Sequence, residues 1–227
     1  MGKGLHNKTL GIIHAAVFTA QVVEPYAKEI IPEVQIMHMG DDTIQRDNFS
    51  APVGTIPKAN FYKFATYARF LQEAGCDLIL LGCSTFNQAV EYARPMVTTP
   101  MLNIDRPMMD LAVLDGKRVG LLGTLPSTMP SSERLLREAA RDLDREVEVF
   151  PVLCAEAFTA LRAGNKALHN QMLLEQIGAL AKKVDAIVLA QVSMSALEPE
   201  LTNTPVPVYN SGRTGFMRAR QMLLAMD

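Results

Sequence analysis

Residues 78–88, LILLGCSTFNQ, run from four consecutive apolar side chains through Gly82 into a thiol, two hydroxyls and an amide, with no charge among them. A short apolar run of this kind reads as a β-strand buried on both faces, and the abrupt change of chemistry marks its end. Residues 186–196, AIVLAQVSMSA, have the same shape, but Gln191 stands where the first stretch has Cys83. Two buried strands of one design, 108 residues apart, predict that the chain repeats itself.

Working outward from these two strands extends the repeat. LGIIHAAVFT (10–19), VQIMHMGDD (34–42), CDLILLGCST (76–85) and TPMLNID (99–105) are followed in the same order by VGLLGTLPST (119–128), VEVFPVLCAE (147–156), VDAIVLAQVS (184–193) and TPVPVYNS (204–211). Gly11 matches Gly120, Asp77 matches Asp185, and a Thr-Pro pair precedes each fourth run. Amphipathic segments lie between, with helical spacing over 25–31, 61–74, 132–143 and 172–182. Strands alternating with helices give an α/β fold with mainly parallel sheets, here two pseudo-symmetric, duplicated three-layer halves. The expected division is 1–107 and 108–212, with Asp115-Gly116 as a turn before the strand at Arg118. Residues 213–227 read as a closing helix that packs back on the first half.

Composition narrows the function. With 227 residues and 48% hydrophobic content the chain can bury a full core without covalent staples. Three cysteines, Cys76, Cys83 and Cys154, show neither a disulfide framework nor a metal spacing, so reduced thiols and no metal are expected. A formal charge of −2 with interspersed Lys and Arg argues against nucleic acid. The early apolar run is interrupted by His14 and has its counterpart at 119–128, so it reads as a strand rather than a leader. No run reaches the ~20 apolar residues of a membrane span, and a soluble cytoplasmic protein is expected.

In a parallel α/β sheet, ligands sit beyond the carboxyl ends of the strands, where helix N-termini present free N–H groups. That places His14, Cys83, Ser84, Thr85, Asn87, Thr124, Gln191 and Ser193 as candidate site residues. Small neutral donors dominate, which suits a small carboxylate. Each hydroxyl can equally be a helix cap. GTLPST (123–128) is a weak phosphate cradle, and no glycine-rich nucleotide fingerprint is present. Cys83 is the sharper candidate. With a helix opening at Ser84 or Thr85, its thiolate would be favoured as nucleophile or base; as a packing residue it would be a small hydrophobe. Cys76 reads as packing, and Cys154 as facing either the cleft or the core. His14 reads as acid–base group or as structural histidine. Asp41-Asp42 reads as a solvated turn, His38 as a strand residue and His169 as surface.

These pieces together resemble the aspartate/glutamate racemase superfamily, which includes hydantoin racemases, arylmalonate decarboxylase and maleate isomerase. The resemblance is carried by the duplicated halves, LLGCSTFNQ, GLLGT and the terminal YNS, and spans essentially the whole chain. It implies a cofactor-independent enzyme with its active site in the cleft between halves, where two cysteines face each other and exchange the proton α to a carboxylate. By resemblance Cys83 is the first cysteine, Ser84 and Thr85 hold the carboxylate, and His14 and Thr124 lie near substrate. A homo-oligomer is also implied. The departure is Gln191 at the second cysteine's place, since an amide is no general acid or base at neutral pH. Three readings follow: a racemase or isomerase of a small carboxylic acid with one thiol, a decarboxylase of a malonate-like acid, and a non-catalytic small-acid binder. In the first two, Gln191 can donate to a developing enolate oxygen.

Overall fold

The computed structural model describes residues 4–226. Its first sheet is formed by β1 (Thr9–His14), β2 (Gln35–Gly40), β3 (Leu78–Leu81) and β4 (Met101–Asn103), in the order β2-β1-β3-β4. The second, from β5 (Arg118–Gly123), β6 (Glu148–Leu153), β7 (Ala186–Leu189) and β8 (Val208–Tyr209), has the order β6-β5-β7-β8. Every pairing is parallel. The registers also repeat, with Gly11 opposite Ile79 and Gly120 opposite Ile187. Six strands fall within the runs expected from the sequence, and β1 and β5 each begin one residue before theirs.

Alternation along the strands builds the layers. Leu10, Ile12, Leu78 and Leu80 face one side of the first sheet, and Ile13, Ile79 and Leu81 the other. In the second sheet Val119, Leu121, Ala186 and Val188 face one core, and Leu122, Ile187 and Leu189 the opposite one. The central strands β3 and β7 are buried throughout, the state their uninterrupted apolar runs require. The matched aspartates have matched work. Asp77 Oδ2 accepts from the N–H of Thr9 at 2.8 Å, and Asp185 Oδ2 from the N–H of Arg118 at 2.9 Å, so each satisfies the first donor of a neighbouring strand. Gly11 permits close packing, because a Cβ there would lie 2.8 Å from Leu71 Cδ1.

Around the sheets lie α1 (Thr19–Ile30), α2 (Asp42–Ser50), α3 (Lys58–Glu73), α4 (Ala89–Ala93), α5 (Arg106–Asp115), α6 (Met129–Asp142), α7 (Ala155–Arg162), α8 (Lys166–Leu180) and α9 (Ser211–Leu224). A 3₁₀ segment spans Val192–Glu200. α1 starts before Pro25 because Thr19, Val23, Tyr26 and Ala27 form a continuous buried stripe, whose burial outweighs the ~3 kcal/mol a mid-helix proline costs. Asp41 is a helix cap rather than part of a free turn, accepting from Thr43 N–H at 2.8 Å and the Tyr67 hydroxyl at 2.7 Å. His169 lies buried on α8, its Nδ1 2.9 Å from the Ala157 carbonyl oxygen, and is not a surface residue.

Two helices tie the halves together. α5 follows the first sheet in sequence, yet Met108, Met109, Ala112 and Val113 join the core under the second. α9 follows the second sheet, yet Phe216, Ala219 and Leu223 join Leu10, Ile12 and Leu80 under the first.

Candidate active site

Between the halves lies a cleft of ≈ 680 Å³, whose lining includes Cys83, Ser84, Thr85, Gln191 and Ser193. The ends of β3 and β7 deliver these residues: each strand stops two positions before Cys83 or Gln191, and the chain then turns into the cleft. His14, Asn87 and Thr124, the other residues singled out from the sequence, are buried and lie outside the lining.

Cys83 sits on the cleft floor, half-buried. The expected helix does not open at Ser84 or Thr85; a turn over 85–88 comes first, and α4 begins at Ala89. The turn still aims donors at the thiol. The backbone N–H groups of Thr85 and Phe86 and the Thr85 hydroxyl act on it in the direction that favours the charged form. Those donors favour thiolate, but burial acts the other way and is larger, with a smaller push from the Asp105 charge, and the thiol is pushed up to about 12. Cys83 is therefore protonated at neutral pH, not the ready thiolate that strand-end position alone suggested.

Asp105 was not singled out beyond its place after β4. Fully buried, it receives the Ser84 hydroxyl at 3.1 Å on Oδ1, while Oδ2 has no partner among the described residues. Burial pushes its carboxyl up to about 7, against the smaller effect of the Ser84 hydrogen bond. A second titratable group thus stands behind the residue next to the thiol.

Across the cleft, Gln191 Oε1 accepts from the N–H of Thr124 at 2.5 Å and from its hydroxyl at 2.9 Å. That commits the carbonyl end of the amide and leaves the Nε2 donors without a partner among the described residues. Thr124 therefore orients Gln191. Asn87 bridges the halves: Nδ2 donates to the Ser131 carbonyl at 3.2 Å, and Oδ1 accepts from Arg134 at 2.6 Å. Thr85 and Thr128 hydroxyls, 2.9 Å apart, add a second bridge.

His14 lies behind the floor. Thr19 Oγ1 donates to the Ala16 carbonyl at 2.7 Å, so at 2.8 Å it can only accept from His14 Nδ1–H. His14 Nε2 then accepts from His38 Nδ1–H at 2.9 Å. Burial, with His38 beside it, lowers the His14 pKa to about 4, so the ring is neutral near pH 7. Thr19, not His14, reaches the cleft. Cys154 packs in the second-half core with Leu122 and Ala157, and Cys76 in the first with Leu71.

Residues on helices complete the lining: Phe49 and Arg46 from α2, Phe158, Leu161 and Arg162 from α7, with Phe18 and Leu125. A search of strand ends could not find them. A signal was present, because Phe49 and Phe158 are 109 residues apart, the same offset as Gly11 and Gly120.

A doubly wound pair of parallel sheets with a strand-end cysteine and its counterpart position across a cleft defines the racemase-type α/β class. The sequence matches the Asp/Glu/hydantoin racemase family over residues 13–219, and the chain belongs to that family and is an enzyme of racemase type. It is 23% identical to the glutamate racemase of Streptococcus pneumoniae (strain Hungary19A-6) over 209 residues, covering 89% of this chain and 75% of that protein. Its fold is similar to that of a glutamate racemase from Bacillus anthracis (TM-score 0.73, 18% identity, 97% of this chain and 83% of that one). The aspartate racemase of Picrophilus torridus is equally similar (TM-score 0.73, 19% identity, 95% of each chain). So is the allantoin racemase of Klebsiella pneumoniae (TM-score 0.73, 18% identity, 97% and 89%).

Proposed function

We propose that this protein is a cofactor-independent racemase or isomerase of a small carboxylic acid, with Cys83 as its acid–base group. The observation that carries this reading is a thiol on the cleft floor, flanked by Ser84 and Thr85 and faced by an amide whose donors are free. Ser193 receives the carboxylate together with Ser84 and Thr85, whose hydroxyls turn to it from their partners Asp105 and Thr128. The ionised thiol takes the α-proton: the Cα–H bond breaks, S–H forms, and the electron pair moves into the carboxylate as an enolate. Gln191 Nε2 donates to the developing oxyanion. A thiol of high pKa is a scarce but strong base; once protonated it is a weak acid, but still a far stronger one than the α-carbon, so the proton can return to the enolate. Gln191 is no acid at neutral pH, so the opposite face is protonated by water in the cleft, and the hydroxide left takes the proton from the Cys83 thiol, which regenerates the thiolate and the water.

A second reading has a specific observation behind it. Cys76 and Cys154 both lie in the cores, so no second thiol faces Cys83 across the cleft, and one proton donor matches decarboxylation of a malonate-like acid. There the departing CO₂ leaves the carbanion and Cys83 protonates it. One experiment separates the two: incubation with aspartate, glutamate, 5-substituted hydantoins and substituted malonates in D₂O, followed by NMR. Exchange at Cα supports the first reading and CO₂ release the second. In either case Cys83→Ala is expected to lower turnover at least ~100-fold, the usual range for a positioned acid–base group. Full activity of Cys83→Ala on a confirmed substrate would refute the role given to the thiol.

A further inference from the structure

The cleft has two chemistries. Its floor is polar, while its upper walls are Phe18, Phe49, Leu125, Phe158, Leu161 and Val192. Phe49 and Phe158 meet edge to face, ring centroids 6.4 Å apart at 75°, one from each half. Phe49 is 45% exposed although it is a large apolar side chain, so the pair presents unsatisfied apolar surface to whatever enters. A volume of ≈ 680 Å³ is within the ~300–1,000 Å³ range of sites that enclose ligands larger than a bare amino acid.

Charge in the cleft points the same way. A substrate with a second carboxylate on its side chain needs a cation held in place to receive it. Arg46 is engaged with Asp47 at 2.8 Å. Arg162 is exposed at the end of α7, and no hydrogen bond or ion pair holds it among the described residues. The floor already has its carboxylate donors in Ser84, Thr85 and Ser193. Above them Arg46, Arg162 and Gln45 share the lining with a larger aromatic and aliphatic group centred on Phe49 and Phe158.

We infer that the substrate is a carboxylic acid whose α-substituent is a bulky apolar group, aryl or branched alkyl, seated against the Phe49–Phe158 pair. This rests on the reading that Cys83 handles the α-proton. The two phenylalanines are specificity residues: they contact the substituent and leave the reacting carbon to the floor. Their rings offer edge and face to an aryl group, an arrangement favoured over parallel overlap.

The test uses the full chain and two readouts. Cα exchange in D₂O is measured for phenylglycine, phenylalanine and leucine against aspartate and glutamate, and binding of the same acids to Cys83→Ala protein is measured by calorimetry. The expected result is at least a tenfold preference for the apolar acids, in kcat/KM or in Kd. Phe49→Ala and Phe158→Ala, both at the cleft surface where truncation leaves the core intact, are expected to erode that preference at least tenfold through KM or Kd. Preference for aspartate or glutamate overturns the inference, as does equal handling of both classes. Loss of activity on Arg162→Ala with the phenylalanine variants unaffected also overturns it. Selective binding of apolar acids without exchange would sustain the inference while refuting the racemase reading; exchange of acidic substrates alone would do the reverse.

Discussion

At the scale of single residues, the site is governed by desolvation. Asp105 and His14 are both buried beside the floor, and their carboxyl and imidazole are displaced in opposite directions, to about 7 and about 4. The consequences for stability have opposite signs. Folded Asp105 keeps its proton where the unfolded chain has lost it, so its contribution falls as pH rises from about 4 to about 7. Folded His14 stays neutral where the unfolded chain is protonated, so its contribution falls as pH drops from about 6.5 to about 4. Between those limits the two slopes oppose each other, each worth on the order of 3–4 kcal/mol. In Asp105→Asn the acid half of the pair is gone while the Ser84 hydrogen bond can persist. Urea unfolding of that variant is expected to show stability decreasing steadily below pH 6.5, whereas the parent is flatter over that range; identical pH profiles would contradict this assignment. The direction of the Cys83 shift belongs here too. Its strand-end position was legible in LILLGCSTFNQ, and so were its neighbouring donors, but the buried environment that keeps it protonated comes from segments distant in sequence.

At the scale of elements, the repeat accounts for most of what could be read directly. Eight apolar runs became eight strands, because an uninterrupted or alternating apolar run can be buried in a sheet whatever surrounds it. Helices were read less completely. α2 and α7 are short, nine and eight residues, so neither offers a long periodic run; in the sequence the start of α2 reads as a solvated turn at Asp41-Asp42, and α7 is not read at all. Those two helices supply the cleft's aromatic wall. The turn between β3 and α4 takes the place of the expected helix start; it keeps donors beside the thiol and, through Asn87, bonds to the other half. Asn87→Ala removes bonds to Ser131 and Arg134 at a buried position. It is expected to cost ~1–3 kcal/mol by equilibrium unfolding, the range for leaving buried partners unsatisfied. Because the same bridge fixes the floor against α6, substrate KM should rise as well, and an unchanged KM would separate that bridge from the site.

At the scale of the whole molecule, the halves are not independent. α5 lies in the core of the second sheet and α9 in that of the first, while Tyr26 donates to the Ser195 carbonyl at 2.8 Å and Arg213 pairs with Glu29 at 2.9 Å. Phe216 is fully buried against the first sheet although it lies at the far end of the chain. Phe216→Ala is expected to destabilise by ~3–5 kcal/mol. It should do so in one cooperative transition seen by every probe, since each half holds a helix of the other. Two separated transitions, with the second half unaffected, would show that the crossing does not couple them.

The sequence alone determined the strands, their duplication, the parallel α/β class and the positions of Cys83 and Gln191 at equivalent strand ends. All of these follow from local patterning repeated at one offset. Only the tertiary structure decided that His14 is neutral behind the floor, that Thr124 aims Gln191, that Asp105 stands beside Ser84 and that Phe49 meets Phe158 across the cleft. The physical reason is that hydrogen bonds, packing and loss of water at these positions arise between segments tens to hundreds of residues apart, where periodicity along the chain carries no information.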